Sequence, residues 1–151
     1  MTTSNVEIRK LSAADHDAWL PLWRGYQAFY KVDIAPSVST LTFGRLTGGT
    51  EPMGGALAWS NGEAVGLVHH IEHRSCWTAA NYVYLQDLYV AETVRGSGIG
   101  RRLIEYVYAM AATHGLNRVH WLTHESNVEA MKLYDRIADK SGFVQYRKLM
   151  G

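Results

Sequence analysis

A short stretch of alternating glycines between arginines contains the residues whose types and spacing could most clearly do chemistry. It reads Arg95-Gly96-Ser97-Gly98-Ile99-Gly100-Arg101-Arg102. Alternate glycines let the backbone approach a ligand closely and direct successive N–H groups into one concavity. A helix predicted to start at Gly98 adds the positive end of its dipole. The stretch therefore predicts a cradle for a phosphate or pyrophosphate group.

Two common phosphate-binding patterns do not fit this stretch. The dinucleotide fingerprint requires G-x-G-x-x-G, whereas Gly96, Gly98 and Gly100 are spaced as G-x-G-x-G, with no first strand before them near the N-terminus. The G-x-x-x-x-G-K-[ST] phosphate loop is absent from the sequence. A glycine-rich turn whose arginines lie in solvent is the alternative that these residues leave open.

The elements that must position this stretch are predicted from hydrophobic periodicity. Strands are predicted over 6–9, 56–60, 64–71, 82–90, 119–123 and 143–149, with a hairpin turn at Asn61-Gly62. Helices are predicted from near Asp15 or Asp17 to Tyr30, over 38–46, over 98–114 and from 126 to Gly142. This order, β-α-α-β-β-β-α-β-α-β, indicates an α/β (α+β) fold with antiparallel middle strands and a right-handed parallel crossover over 82–123.

Several motifs together resemble the GNAT superfamily of N-acetyltransferases. Residues 95–100 match its R/Q-x-x-G-x-G/A signature, and Leu85-Gln86-Asp87-Leu88-Tyr89-Val90 is similar to its fourth strand. Asn127-x-x-Ala130-x-x-x-Tyr134 and Gly142-Phe143 resemble its downstream helix and closing strand. The resemblance extends over nearly the whole chain and is greatest to the branch of polyamine and histone-tail acetyltransferases. It implies a mixed, mostly antiparallel sheet of six to seven strands flanked by about four helices.

The resemblance also implies the cofactor, acetyl-coenzyme A, and the residues that bind it. Its pyrophosphate is expected on the backbone amides of Arg95, Gly96, Ser97, Gly98, Ile99, Gly100 and Arg101. Its pantetheine arm is expected to pair like an additional strand with Leu88, Tyr89 and Val90, where strands 82–90 and 119–123 splay apart. Asn127 completes the implied cofactor site.

Acetyl transfer to an amine needs a base for the ammonium, donors for the oxyanion and an acid for the departing thiolate. The resemblance assigns the acid to Tyr134, whereas helical periodicity alone indicates a packed ring. Relatives carry glutamate at the position of Gln86, and a glutamine cannot accept the proton. Asp87 points to the opposite face unless a bulge intervenes, so a catalytic and a structural role remain open for it.

Other residues are weaker candidates for the remaining roles. Glu72, His120 and His124 could remove the proton through water, and a backbone N–H near Leu88 could stabilise the oxyanion.

The acceptor site is expected among aromatic side chains of the first helix. Trp23, Tyr26 and Tyr30 recur at helical spacing, which is typical of core, but the resemblance places the first helices along the acceptor pocket. Aromatic walls could hold a cationic amine, with Glu72 and Gln86 beside it.

The histidines of the third predicted strand and the single cysteine are not expected to take part in the chemistry. Alternation directs His70 away from His69 and His73, so no metal site is expected. Cys76 is the single cysteine and is expected to be an idle thiol.

Composition limits the remaining function classes. The chain has 151 residues and a net charge of +1, which favours one domain over 1–151 and disfavours a general nucleic-acid binder. Without a signal peptide or an apolar span, we expect a cytoplasmic protein that does not bind membranes, and we expect a homodimer. We interpret the chain as an N-acetyltransferase for a primary amine, a small amine or polyamine first and a lysine side chain second. A non-catalytic acyl-coenzyme A binding module and transfer of another acyl group remain alternatives.

Overall fold

The computed structural model describes residues 5–151 of the chain. By their contacts the residues divide into two units, the first ending at Trp121 and the second comprising Leu122–Gly151. The strands are β1 (Val6–Lys10), β2 (Met53–Ser60), β3 (Glu63–His73), β4 (Tyr82–Val90) and β5 (Val119–His120). The helices are α1 (His16–Tyr30), α2 (Pro36–Thr47), α3 (Ile99–Thr113) and α4 (Val128–Ile137). Single 3-10 turns lie at Ala13–Asp15 and Glu92–Val94.

The strands form one mixed sheet in the order β1-β2-β3-β4-β5. The first three pairings are antiparallel, and β5 pairs parallel to β4 at Val83 and Tyr84. Asn61 and Gly62 adopt φ values of 52° and 79°, which confirms the predicted hairpin turn. The connection from β4 to β5 runs through α3, which confirms the predicted parallel crossover.

Helices pack on both faces of the sheet because adjacent residues of β3 point to opposite sides. Leu67 belongs to a buried cluster with Trp19 of α1 and Phe43 of α2. A Cβ atom added at the neighbouring Gly66 would lie 3.0 Å from Leu103 Cδ1 of α3. Consequently α1 and α2 cover one face of the first unit and α3 covers the other.

Four expectations about the sheet and the C-terminal elements were wrong. The sheet has five strands among the described residues, not six or seven. β5 ends at His120 rather than residue 123, because it pairs with β4 at two positions only. The last helix ends at Ile137 rather than at Gly142, and residues 143–149 form no strand. A strand requires a paired backbone, and within the described second unit α4 is the one regular element.

Candidate active site

A β-bulge in β4 decides which side chains face α1. His69 pairs with Asp87 and the next residue, His70, pairs with Leu85, so Gln86 is left without a partner on β3. The extra residue places Asp87 and Tyr84 on the same face of the strand, the one that α1 covers, while the Gln86 side chain is exposed. The alternative in which a bulge intervenes at Asp87 is therefore the one that the structure adopts.

The carboxylate of Asp87 lies in a buried hydrogen-bonded network. The Tyr26 hydroxyl donates to Oδ1 over 2.7 Å, and Nδ1 of His69 lies 2.9 Å from Oδ2. His69 is in turn bonded at Nε2 by the indole N–H of Trp19, 2.9 Å away. Asp87 is 8% exposed and His69 is 2% exposed. Both oxygens of the carboxylate are thus fixed in orientation.

The aromatic stripe of α1 leads from the core to this carboxylate. Trp19 stacks on Trp23 at 5.7 Å between ring centroids, Trp23 on Tyr26 at 5.0 Å, and Tyr26 contacts Tyr30 at 4.8 Å. Trp19 is fully buried, Trp23 is buried and bonded through its indole N–H to the Ser39 hydroxyl, and Tyr30 is exposed. Trp23 therefore belongs to the core, as its helical spacing indicates, and the two tyrosines reach the surface beside Asp87.

The tyrosines around Asp87 are kept protonated by their surroundings. Burial, and after it the charge of Asp87, raises the pKa of Tyr26 well above its ordinary value. The same two causes raise the pKa of Tyr30 and of Tyr84. The site is thus an anionic carboxylate surrounded by neutral phenols, an arrangement suited to a cation.

Gly25 sets how closely α1 approaches β4. A Cβ atom there would lie 2.6 Å from the hydroxyl oxygen of Tyr89, so any other residue would require either the Tyr89 ring or the helix to shift. This close approach brings the next residue, Tyr26, within hydrogen-bonding distance of Asp87.

The glycine stretch forms the concave turn that the sequence predicts between β4 and α3. Gly96 and Gly98 adopt φ values of 83° and 85°, a left-handed conformation that favours glycine. The first helical backbone bond runs from the Arg102 N–H to the Gly98 carbonyl. The amides of the preceding residues, 98–101, therefore precede the helical ladder and are available to an anion.

The arginines of this turn have separate functions. Arg95 donates from Nε to the Val90 carbonyl at 3.0 Å, and its guanidinium lies over the rings of Phe29 and Tyr89. Arg101 forms an exposed pair with Glu105 at 3.4 Å. Arg102 donates to the Val6 carbonyl at 2.6 Å, which fastens α3 to β1.

The remaining residues of the turn are held by the fold. The Ser97 hydroxyl donates to the Val94 carbonyl. The Ile99 side chain is buried, so its predicted contact with the cofactor can involve only its backbone.

One edge of β4 is open next to this turn. Leu88, Tyr89 and Val90 pair with Val68, Leu67 and Gly66 of β3 on one side. On the other side β5 pairs only with Val83 and Tyr84, so in the described part of the chain no strand covers β4 from residue 85 onward. An extended ligand could use this free edge as a strand does.

The second unit contains the other two predicted site residues. Asn127 is the N-cap residue of α4, and its amide donates to the Thr123 hydroxyl at 3.2 Å. Tyr134 lies in α4, seven residues later and therefore on the same face of the helix. His124 is bonded to the Ser126 hydroxyl at 2.7 Å.

The other candidate bases differ in how they are engaged. Glu72 accepts a hydrogen bond of 2.7 Å from the Asn81 amide. His120 stacks on Tyr84 at 5.4 Å, its Nδ1 atom is buried without a hydrogen-bond partner, and burial followed by Arg118 and His73 lowers its pKa. His120 is thus a neutral imidazole close to the tyrosines around Asp87.

The strand histidines point as alternation predicts. His69 faces α1, and His70 lies on the opposite face, where burial is the main cause that lowers its pKa to about 4. Among residues 5–151 no three His, Cys, Asp or Glu side chains converge as metal ligands. Cys76 is exposed.

Sequence reasoning missed His69, Tyr84 and Gly25 as parts of the site. A histidine within the apolar run of β3 is a usable signal, because a buried imidazole requires hydrogen-bond partners. The contact of Gly25 with Tyr89 depends on tertiary packing and has no local signal.

None of the helices in the described residues combines the length and apolar character of a membrane-spanning helix.

Comparison with known proteins places these features in a family. The family model described as "Acetyltransferase (GNAT) family" matches residues 15–138. The D-amino-acid N-acetyltransferase HPA3 of Saccharomyces cerevisiae is 37% identical over 150 residues, covering 98% of this chain and 93% of that protein. A thialysine N-epsilon-acetyltransferase of Mus musculus is 32% identical over 78 residues, covering 48% of this chain and 45% of that protein.

A solved structure supports the same fold. AAC(6')-Iy in complex with the bisubstrate analog CoA-S-monomethyl-acetylneamine has a TM-score of 0.84 at 14% identity, covering 97% of this chain and 99% of that one. The family match extends over most of the chain, and the turn and open strand edge described above agree with it. The chain therefore belongs to the GNAT family and is an acetyl-coenzyme A-dependent N-acetyltransferase.

Proposed function

We propose that this protein transfers the acetyl group of acetyl-coenzyme A to the primary amine of a small molecule that binds at Asp87. The observation that carries the proposal is a buried, doubly hydrogen-bonded carboxylate surrounded by Tyr26, Tyr30 and Tyr84. An ammonium group is attracted both by the negative charge and by the faces of the rings.

The glycine turn and the neighbouring open edge of β4 fit the cofactor. The amides of residues 98–101 suit its pyrophosphate, because they point out of the start of α3 in a turn that Gly96 and Gly98 keep free of side chains. The free edge along Leu88 to Val90 suits the amides of its pantetheine arm. When bound, acetyl-coenzyme A supplies the activated acetyl thioester. Arg95 supports this site by fixing the turn to Phe29 and Tyr89 rather than by pointing out of it.

Small amines are the acceptors that the relatives support. The names of HPA3 and of the mouse relative refer to D-amino acids and to thialysine, both small amino acids. A carboxylate that is 8% exposed and lies beneath tyrosines suits a slender amine. Polyamines and other diamines satisfy the same requirement, and a protein lysine is the second choice.

The protons of the reaction define three roles for the chain's own residues. Asp87 and Tyr26 hold and orient the ammonium group of the acceptor. Gln86 cannot take its proton, so the proton leaves to water or to neutral His120. The Tyr134 hydroxyl, by analogy with the family, returns a proton to the leaving thiolate. A tyrosine phenol ordinarily titrates near a pKa of about 10, so it is protonated at neutral pH and can serve as that acid.

An acceptor screen tests the proposal. The protein is mixed with acetyl-coenzyme A and with D- and L-amino acids, diamines, polyamines or a lysine peptide, and thiol release and product masses are recorded. We expect acetylated product from at least one small amine, and Asp87→Asn should raise the KM for that amine roughly tenfold or more. Glu63→Gln, which replaces an exposed carboxylate in the hairpin, is the control and should leave the KM for the amine unchanged.

The absence of thiol release with every amine would contradict the proposal. A second candidate function, non-catalytic binding of acyl-coenzyme A, is favoured by one observation, the glutamine at position 86. It predicts a rise in melting temperature with acetyl-coenzyme A but no acetylated product. The same screen therefore separates the two functions.

A further inference from the structure

We propose that Trp19 and His69 form a positioning relay that holds Asp87 as an oriented carboxylate for the acceptor ammonium. The proposal rests on the proposed function, because it concerns how the same site binds its amine. It assigns roles to two buried residues that act through Asp87.

Hydrogen-bond chemistry determines where the proton of His69 is. An indole N–H can only donate, so Nε2 of His69 accepts the bond from Trp19 over 2.9 Å. The ring proton of a neutral imidazole must then be on Nδ1, which donates it to Oδ2 of Asp87 over 2.9 Å. The relay thus runs in one direction, from indole to imidazole to carboxylate.

Trp19 also fixes the orientation of the His69 ring. A proton on Nε2 would face the donated indole N–H, and the buried Trp19 ring is held in place because it is stacked on Trp23 and packed against Phe43. Nε2 of His69 is therefore kept as the acceptor, and Nδ1 faces Asp87 as the donor.

Among residues 5–151, the titratable groups near the relay come mainly from two elements. They are Tyr26, Tyr30 and His16 of α1, the His16 ring lying 6.1 Å from that of Trp19, and Asp87 and Tyr84 of β4. From β2 the neighbour of the His69 ring is Gly55, where a Cβ atom would lie 3.2 Å from it. His70 interacts electrostatically with His69 from the opposite face of β3. Asp87 is the charged group in direct contact with His69.

Tyr26 completes the arrangement from the other side. It donates to Oδ1 over 2.7 Å, so each oxygen of Asp87 accepts one bond and keeps a second lone pair for the ammonium. The two donors fix the plane of the carboxylate, which would otherwise rotate about its terminal torsion. Orientation of the amine is thus determined by residues of the core.

Two substitutions of His69 separate hydrogen bonding from packing. Asparagine can place its amide N–H₂ where Nδ1 lies and still donate to Asp87, whereas leucine cannot donate. We expect His69→Leu to raise the KM for the acceptor roughly tenfold, with the KM for acetyl-coenzyme A unchanged, and His69→Asn to remain within about threefold of the wild type. Equal KM values in all three proteins would overturn the proposal.

A third variant tests the role of the indole. Trp19→Phe keeps a buried ring but leaves Nε2 without its donor, so the His69 ring is no longer held in one orientation. We expect the acceptor KM of this variant to rise roughly threefold or more, with the KM for acetyl-coenzyme A unchanged. Trp59→Phe, which changes an indole of β2 packed against the same buried cluster, is the control and should keep the wild-type KM. Identical acceptor KM values for Trp19→Phe and the wild type would contradict the relay.

A measurement on the unmodified protein keeps the proposal testable if the variants do not fold. Long-range proton–nitrogen NMR correlations at neutral pH should report the ring proton of His69 on Nδ1 and no proton on Nε2. A proton on Nε2 would overturn the proposal. Because this spectrum requires no turnover, failure of the relay and failure of the proposed acetyl transfer are distinguishable.

Discussion

Tyr26→Phe removes one hydroxyl and leaves the aromatic stripe of α1 in place. The ring keeps its contacts with Trp23 at 5.0 Å and Tyr30 at 4.8 Å, so packing should change little. What is lost is the 2.7 Å bond to Oδ1 of Asp87, a carboxylate that is 8% exposed. The variant therefore measures a single charge-assisted hydrogen bond.

The magnitude follows from the surroundings of that bond. Hydrogen bonds to charged groups contribute about 1.5 to 3 kcal/mol, and the half-buried phenol places this one at the lower end, about 1.5 kcal/mol. For a protein of this size, that corresponds to a fall of roughly 3 to 6 °C in melting temperature. The KM for the amine should rise roughly three- to tenfold because the carboxylate loses one of its two fixed donors.

The raised pKa of Tyr26 gives the effect a pH dependence. The folded protein keeps the phenol proton where the unfolded chain releases it, so the stability contributed by Tyr26 is present below about pH 10 and is lost at higher pH. The difference in stability between the wild type and Tyr26→Phe should therefore narrow above about pH 10.

Thermal unfolding and initial-rate kinetics provide the assay, with Tyr30→Phe as the matched control. Tyr30 contacts the ring of Tyr26 and interacts with Asp87 by charge, but its exposed phenol has no bond to the carboxylate. Its loss should change stability by less than about 0.5 kcal/mol. Equal effects of the two substitutions would refute the assignment of Tyr26 as the fixed donor.

Four further predictions concern other parts of the molecule. Gly100→Ala should fold, since its Cβ would lie 3.8 Å from the nearest atom, yet it should weaken acetyl-coenzyme A binding in a thermal-shift titration. Gly98→Val, at a φ of 85°, should weaken binding and also lower stability. Unchanged affinity in both variants would contradict the assignment of the turn to the cofactor. Tyr134→Phe should lower kcat about 10²-fold with coenzyme binding retained, and a full kcat would assign the acid elsewhere. Wild-type kcat/KM should rise with pH toward the pKa of the acceptor amine. Gln86→Glu should raise activity near neutral pH or leave it unharmed. A wild-type profile that is flat from about pH 6 would instead indicate an efficient base such as His120. Since the pKa of His70 is about 4, the wild type should lose up to roughly 3 kcal/mol of stability as pH falls from about 6.5 to about 4, and His70→Gln should lose less in chemical denaturation.

Local sequence patterns determined the elements of the first unit and the motif that they position. Asn61-Gly62 accepts positive φ at both positions, so the hairpin follows from two residues. The apolar run of β4 and the helical spacing of α3 are equally local, and they place the glycine turn between them. The resemblance to the GNAT family depended on these same local residues, and the family match agrees with it.

Tertiary structure decided what Asp87 does. Simple alternation along β4 would put Tyr84 and Asp87 on opposite faces. The bulge at Gln86, which brings both to the α1 face, becomes visible only when β4 is paired with β3. The partners of Asp87 come from 61 positions earlier in the sequence for Tyr26 and 18 positions earlier for His69. Such contacts carry no periodic signal, because they arise where α1 packs on the sheet at Gly25. The sequence therefore determined the residue types of the site, while tertiary packing determined the orientation of its carboxylate.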